Sequence, residues 1–132
     1  MNLPIDSPFK SPLILIIEDD EKSRRLMADV LNHQGYRVLE TDNAEDGIAI
    51  MRRERPALVL MDIHLPGMSG VEALRVIRAD DIVKTTRIMA VTASVMGSER
   101  HKIKAEGFDA FEPKPINLKQ FLITVKELAY LT

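Results

Sequence analysis

The chain has 132 residues, which fits one domain, and 45% of them are hydrophobic, enough to fill a single core. Its net charge of −2, with charges of both signs interspersed, argues against a positively charged surface that binds nucleic acid. The absence of cysteine excludes a disulfide framework and a thiolate metal site. No apolar stretch approaches the roughly 18 residues of a membrane span. The expected location is therefore the cytoplasm.

The first residues are rich in proline. Pro4, Pro8 and Pro12 recur every four positions, which precludes a helix and denies donors to a strand. Residues 1–12 are therefore predicted to form a flexible or extended lead-in. Residues 13–17 then form a wholly apolar run rich in β-branched side chains, which predicts a strand covered on both faces.

From that strand onward the chain alternates between helical and strand periodicity. Helices are predicted where apolar residues recur every three or four positions, with Gly35 ending the first and Asn43 and Asn117 capping two others. In chain order the further predictions are helix 21–34, strand 36–39 at a sheet edge, helix 44–54, strand 57–61, helix 70–80, strand 87–91, helix 97–106, strand 109–112 and helix 117–130. Five strand–helix units in strict alternation predict a doubly wound α/β sandwich around a parallel sheet.

Polar side chains follow every predicted strand, and those after the edge strand, Glu40, Thr41 and Asp42, are left outside the predicted site. Ligands of an open parallel sheet bind beyond the carboxyl ends of its strands. The residues at those ends are Glu18, Asp19 and Asp20 after the first strand, Asp62 after the third, Thr92 after the fourth and Lys114 just past the fifth. Each alone has an ordinary explanation as a helix cap, turn residue, local hydrogen-bonding group or surface charge, and Asp20 fits a helix cap best. Their conjunction predicts a shared site.

This set of side chains has a consistent chemistry. Clustered carboxylates repel one another unless a cation neutralises them. Oxygen ligands without histidine or cysteine side chains favour a hard ion, and a site with few protein ligands suits Mg²⁺. A divalent ion beside Asp62, with Lys114 and the Thr92 hydroxyl opposite, would bind a phosphoryl group. Attack by Asp62 would then give an aspartyl phosphate.

The same residues resemble a known family. Glu18–Asp19, the stretch Met61–Gly70, Val91–Ala93 and Lys114–Pro115 are similar to the signature of the response-regulator receiver domain, the CheY-like family. The resemblance places a receiver domain over residues 13–131. It implies a flavodoxin-like sandwich with five parallel strands in the order 2-1-3-4-5. The chain is similar, within the family, to stand-alone regulators of the DivK type.

The resemblance also implies roles for individual residues. Asp62 would accept a phosphoryl group from a phosphohistidine of a sensor histidine kinase or phosphotransfer protein. Asp19 and Asp62 would ligate Mg²⁺ directly, together with the backbone carbonyl of His64, and Glu18 would act through a metal-bound water. Lys114 would pair with Asp62 and then with the phosphoryl group, and its bond to the following proline is expected to be a cis peptide.

The switching mechanism is likewise implied by the resemblance. Thr92 would hydrogen-bond the phosphoryl group, and Phe111 would turn into the vacated space. The surface made by helix 97–106, strand 109–112 and helix 117–130 would then bind a downstream protein, with the chain a monomer or weak dimer. The side chain of His64 and that of Ser94 flank the site, where they are expected to affect how fast the phosphoryl group is lost.

Two alternatives remain open at the level of sequence. The expectation is a binding module and not an enzyme, since no effector domain follows the last predicted helix. The chain could instead be the receiver module of a hybrid kinase or a phosphorelay intermediate. An aspartyl-phosphate hydrolase is disfavoured, because such enzymes carry a second aspartate two residues after the nucleophile and His64 occupies that place.

Overall fold

The protein is described by a computed structural model, which covers residues 11–93 and 97–131. For residues 97–100 at the start of the fourth helix, the description is limited to the backbone. The predicted lead-in therefore lies outside the described residues except at its last two positions, and Ser94 lies outside them as well. Within the described part, the carbonyl of Pro12 accepts a hydrogen bond from the backbone N–H of Arg37 at 3.2 Å, and the carbonyl of Ser11 accepts one from its guanidinium at 2.9 Å.

Five strands alternate with five helices along the described chain. The bounds are β1 Leu13–Ile17, α1 Glu21–His33, β2 Arg37–Thr41, α2 Ala44–Glu54, β3 Leu58–Asp62, α3 Gly70–Arg78, β4 Arg87–Thr92, α4 Gly97–Glu106, β5 Ala110–Pro113 and α5 Leu118–Ala129. The strands form one parallel sheet in the order β2-β1-β3-β4-β5. The predicted fold class and strand order are confirmed.

The sheet has an apolar core on each face, because successive side chains of a strand point to opposite sides. Ile14 and Ile16 of β1 pack toward α1 and α5, while Leu15 and Ile17 pack toward α2, α3 and α4. β3 is buried along its whole length and β1 is buried from Ile14 onward, which explains why both are mostly continuous apolar runs. β2 lies at the edge and is only partly buried, as predicted.

Side chains cap four of the helices by accepting a backbone N–H in the first turn. Asp20 accepts from Ser23 at 2.9 Å, so its predicted role as a cap is confirmed, and Asn43 and Asn117 act in the same way. The reciprocal capping box forms at α3, where Ser69 caps the helix and the Glu72 side chain accepts from the Ser69 N–H. Sequence analysis did not predict that motif.

Several element ends differ from the predicted ones. β2 continues to Thr41, past the predicted end at residue 39, because its backbone pairs with β1 through Ile17. β3 includes Asp62 as its last residue, so the carboxylate lies on the strand and not after it. α3 ends at Arg78 instead of residue 80, where Asp80 begins a turn by accepting the N–H of Ile82 at 2.9 Å.

Candidate functional site

The carboxyl ends of β1, β3, β4 and β5 bring the predicted site residues together at one edge of the sheet. The strand register fixes this arrangement, since Ile17 pairs with Met61, Asp62 with Val91, and Thr92 with Pro113. Residues that directly follow or end these strands therefore lie side by side. The resulting set is Glu18, Asp19, Asp62, Thr92 and Lys114.

Three carboxylates of this set form a compact cluster. Oxygen atoms of Glu18, Asp19 and Asp62 lie within 4.8 Å of one another. Glu18 and Asp62 are buried, with relative exposures of 1% and 8%, whereas Asp19 is exposed to solvent. Hard divalent cations prefer carboxylate oxygens, and an exposed ligand leaves room for the waters that Mg²⁺ retains. The donor set therefore fits Mg²⁺.

The ammonium of Lys114 lies between the two buried carboxylates. Its Nζ donates to Oδ2 of Asp62 at 3.0 Å and also to Oε1 of Glu18. The backbone N–H of Lys114 donates to the carbonyl of Thr92 at 2.9 Å, which fixes the main chain of this residue beside the end of β4. The contact with Asp62 and the cis peptide at Lys114–Pro115 agree with expectation. Sequence analysis missed the contact with Glu18.

The Asp62 carboxylate is oriented by the loop that follows it. Its Oδ1 accepts the backbone N–H of His64 at 2.8 Å, while the His64 side chain is exposed. The loop returns to the strand where the N–H of Gly70 donates to the carbonyl of Ile63 at 2.9 Å. A Cβ at Gly70 would lie 2.6 Å from the Asp62 carbonyl oxygen, so α3 can begin this close only with glycine. Gly70 therefore supports the site by allowing this close approach. Its place at the end of the stretch Met61–Gly70 could have indicated this role from the sequence.

The buried charges shift one another's protonation. Burial raises the pKa of Glu18 to about 7, with the ammonium of Lys114 opposing the rise and the neighbouring Asp62 adding to it. Burial would also raise the pKa of Asp62, but hydrogen bonds from the His64 N–H and from Lys114 outweigh burial, and the pKa falls below its usual value. The pair titrates as a unit, with Glu18 taking the proton first. The lowered pKa favours the ionised form of Asp62.

Thr92 and Phe111 lie on neighbouring strands beside this cluster. Thr92 is fully buried, and its hydroxyl makes no hydrogen bond within the described part of the chain. A buried hydroxyl with no bond to a protein group is unusual, and its proton is available to an acceptor at the site. Phe111 follows Ala110 on β5 and pairs in register with Ala90 of β4. Its side chain is partly buried and packs against the core between the sheet and α2, α3 and α4. The structure thus places Thr92 at the site, and it places Phe111 on the adjacent strand, in register with the residue two positions before Thr92.

Comparison with known proteins identifies the fold and the family. The model of the response regulator receiver domain matches residues 14–126. The polar-differentiation response regulator DivK of Brucella anthropi is 34% identical over 113 residues, which cover 86% of this chain and 92% of that protein. DivK of Brucella ovis is 32% identical over the same length and the same shares of both chains.

Solved structures give the same result. The receiver domain of the sensor histidine kinase PA1611 of Pseudomonas aeruginosa, which has a magnesium ion coordinated in its active site cleft, aligns with a TM-score of 0.83 at 25% identity, covering 90% of this chain and 98% of that one. A putative response regulator of Chloroflexus aurantiacus aligns with a TM-score of 0.87 at 24% identity over 92% of this chain and all of that one. No helix among the described residues is long and apolar enough to cross a membrane.

Proposed function

This chain belongs to the response regulator receiver domain family, and we propose that it is a phosphorylation-dependent signalling protein whose phosphoryl acceptor is Asp62. The phosphoryl group would come from a phosphohistidine of a sensor histidine kinase or phosphotransfer protein. The observation that carries this proposal is the Asp62 carboxylate, held between the His64 N–H and the Lys114 ammonium in a cluster with Glu18 and Asp19.

The acidic cluster would hold Mg²⁺. Asp19 and Asp62 would bind the ion directly with the backbone carbonyl of His64, and Glu18 would bind one of its waters. When bound, Mg²⁺ neutralises charge on the transferring phosphoryl group. The residues fit this ion because all three side chains offer carboxylate oxygens and one of them, Asp19, is open to solvent.

The remaining residues would act on the phosphoryl group itself. An oxygen of Asp62 attacks phosphorus in line as the phosphorus–nitrogen bond of the phosphohistidine breaks and the imidazole leaves. Lys114, already 3.0 Å from Asp62, would pair with a phosphoryl oxygen. The Thr92 hydroxyl, which has no hydrogen bond to the described residues, would donate to another phosphoryl oxygen.

The output would be a change in the surface formed by α4, β5 and α5. A groove in this surface is lined by Lys104 of α4, Phe111 of β5 and Thr124 of α5, among others. Movement of Thr92 toward the phosphoryl group frees space for Phe111 to turn inward, which alters the groove. Phosphorylation can shift this equilibrium only because it makes different contacts in the two states. A downstream protein would bind the altered surface, with the chain a monomer or weak dimer in the cytoplasm.

Incubation with acetyl phosphate and Mg²⁺ tests the proposal. Intact-mass measurement should show one persistent phosphoryl group per chain, and Asp62→Asn, which keeps the shape of the side chain, should take none. Label on the Asp62→Asn protein would contradict the site assignment. Continuous release of phosphate with no lasting adduct would favour the aspartyl-phosphate hydrolase instead.

The switch has its own test. Addition of beryllium fluoride with Mg²⁺, which mimics the phosphoryl group, should move the amide resonances of Phe111 and its neighbours on β5. The Asp62→Asn protein is the matched control and should show no such movement. Unchanged resonances around Phe111 in a wild-type protein that binds the analogue would refute the switch while leaving the acceptor assignment intact.

A further inference from the structure

Arg24 of α1 is a basic residue that contacts the backbone of the acidic cluster. Its Nη1 donates to the backbone carbonyl of Glu18 at 2.9 Å, and its Nε lies 3.5 Å from Oε1 of Glu40 on β2. The forked donors of a guanidinium allow one side chain to bind two oxygens at once. The Arg24 side chain is partly buried, with 20% of its surface exposed. Arg24 therefore links the end of β1 to the edge strand of the sheet.

The position of Arg24 in its helix explains how it reaches the end of β1. α1 begins at Glu21, and the N–H of Arg24 donates to the carbonyl of Asp20 at 2.9 Å, which closes the first turn. Helical side chains lean toward the amino end of their helix. The long side chain of Arg24 can therefore extend back past the cap residue to the carbonyl of Glu18.

The carbonyl that Arg24 binds belongs to the peptide group between Glu18 and Asp19. A peptide group is planar, so fixing its oxygen also fixes the direction in which the chain enters Asp19. Within the described part of the chain, no backbone N–H donates to this carbonyl. The Asp19 carboxylate is exposed and makes no hydrogen bond or ion pair with the described residues. Its orientation therefore depends on how the main chain beside it is held.

The other bonds of this loop hold the residues on either side of that peptide. The N–H of Glu18 donates to the carbonyl of Thr41 at 3.0 Å. The N–H of Asp20 donates to Oε2 of Glu18 at 3.2 Å. Neither bond involves the oxygen or the nitrogen of the peptide between Glu18 and Asp19. The guanidinium of Arg24 supplies that missing attachment.

We propose that Arg24 is a positioning residue for the magnesium site, because it fixes the peptide that directs the Asp19 carboxylate toward the cluster. This inference rests on the proposed function, in which Asp19 binds Mg²⁺ directly. Arg24 donates to no carboxylate of the cluster and acts through the backbone of Glu18. Loss of a residue that orients metal ligands typically lowers metal affinity by about 10–100-fold.

Calorimetric titration with Mg²⁺ separates this role from a simple effect of charge. Arg24→Met keeps most of the length of the side chain and removes its donors and its charge. Loss of a positive charge near the acidic cluster would by itself strengthen Mg²⁺ binding. Loss of positioning weakens it, and we expect the affinity of Arg24→Met to fall about tenfold.

Arg25→Met is the matched control for this titration. Arg25 is an exposed neighbour on α1 and has no hydrogen bond or ion pair with the described residues. Its replacement removes the same charge from the same helix without touching the loop. Because salt screens exposed charges, the Mg²⁺ affinity of Arg25→Met should stay within about twofold of wild type.

The Mg²⁺ dependence of labelling by acetyl phosphate gives a second readout. Arg24→Met should need about tenfold more Mg²⁺ to reach half of its maximal rate. The maximal rate itself should stay within about threefold of wild type, because Asp62 and Lys114 are unchanged. General damage to the fold would lower the maximal rate as well, and urea unfolding checks for it. Should Arg24→Met not fold, Arg24→Gln, whose side chain is too short to reach the carbonyl, takes its place with the same expected loss.

Two results would overturn the inference. One is Mg²⁺ binding by the folded variant that equals or exceeds that of wild type. The other is a lower maximal rate with an unchanged requirement for Mg²⁺. Failure of the wild-type protein to take any label would instead refute the proposed function, so the two failures are distinguishable.

Discussion

Replacing Thr92 with valine should make the protein more stable while disabling its switch. Thr92 is fully buried at the end of β4, and its hydroxyl has no hydrogen-bond partner among the described residues. Valine keeps the β-branched shape that suits a strand and exchanges the hydroxyl for a methyl group. The resting protein would lose an unfavourable buried polar group, and the phosphorylated protein would lose a donor.

The size of the effect follows from the burial of the hydroxyl. A buried polar group without a partner costs about 1–3 kcal/mol, so the free energy of unfolding should rise by up to that amount in Thr92→Val. For a chain of this length, each kcal/mol moves the melting temperature by roughly 3–5 °C. Thr92→Ser is the matched control, because it keeps the hydroxyl and removes the methyl group. It should lose about 1 kcal/mol of stability and keep the switch.

Urea unfolding and amide spectra with beryllium fluoride measure the two effects. Thr92→Val should unfold at higher urea with an unchanged denaturant slope, since the surface exposed on unfolding is the same. Its Phe111 resonances should no longer respond to the analogue. A Thr92→Val protein that is less stable than wild type would show that the hydroxyl has a partner in the resting protein, and the argument would fail.

Three further changes probe the residues around the acceptor. Gly70→Ala should lose about 1–3 kcal/mol in urea unfolding, because its Cβ would press on the backbone of Asp62. Gly47→Ala should lose less, because its Cβ would meet the side chain of Ile17 first, at 2.4 Å, and a side chain can shift more readily than a backbone. Lys114→Ala should remain folded by circular dichroism, while the response of the Phe111 resonances to beryllium fluoride weakens. Because the pKa of Glu18 is raised to about 7, protons compete with Mg²⁺ below that pH, so the affinity measured by calorimetry should fall as pH decreases and level off above it.

Each of these expectations has an outcome that contradicts it. Equal losses in Gly70→Ala and Gly47→Ala would mean that the start of α3 can move away from β3. An unfolded Lys114→Ala protein would make Lys114 a structural residue first. Affinity for Mg²⁺ that does not change with pH through the range around 7 would mean that Glu18 carries no proton there, or that it does not take part in binding.

The order of elements and the placement of the candidate site residues at one edge of the sheet could be predicted because both depend on local patterns. Apolar runs in β1 and β3 and the helical spacing in α5 are visible in the sequence, and parallel topology then places Asp62 beside Glu18. The end of β2 at Thr41 could not be predicted, because it depends on pairing with β1 and not on its own residues.

Contacts between residues that are far apart in the sequence could not be predicted from local sequence patterns. Lys114 bonds Glu18 across 96 positions of the sequence, and only the assembled sheet shows that one ammonium serves two carboxylates. The burial of Glu112 is a further example, since a glutamate in a short strand that ends in proline resembles a solvent-exposed residue until the sheet and α5 are assembled around it.

The unfavourable features of the resting site share one explanation under the proposed function. Glu18 is buried with a raised pKa, and the Thr92 hydroxyl is buried without a hydrogen bond to any described residue. In an ordinary core these features would be destabilising. A divalent cation would relieve the first by taking up the carboxylate charge, and a phosphoryl oxygen would relieve the second by accepting a hydrogen bond from the hydroxyl. Mg²⁺ would bind before phosphorylation as well, so the bond between Thr92 and the phosphoryl group is the contact that differs between the two states, and a switch requires such a difference.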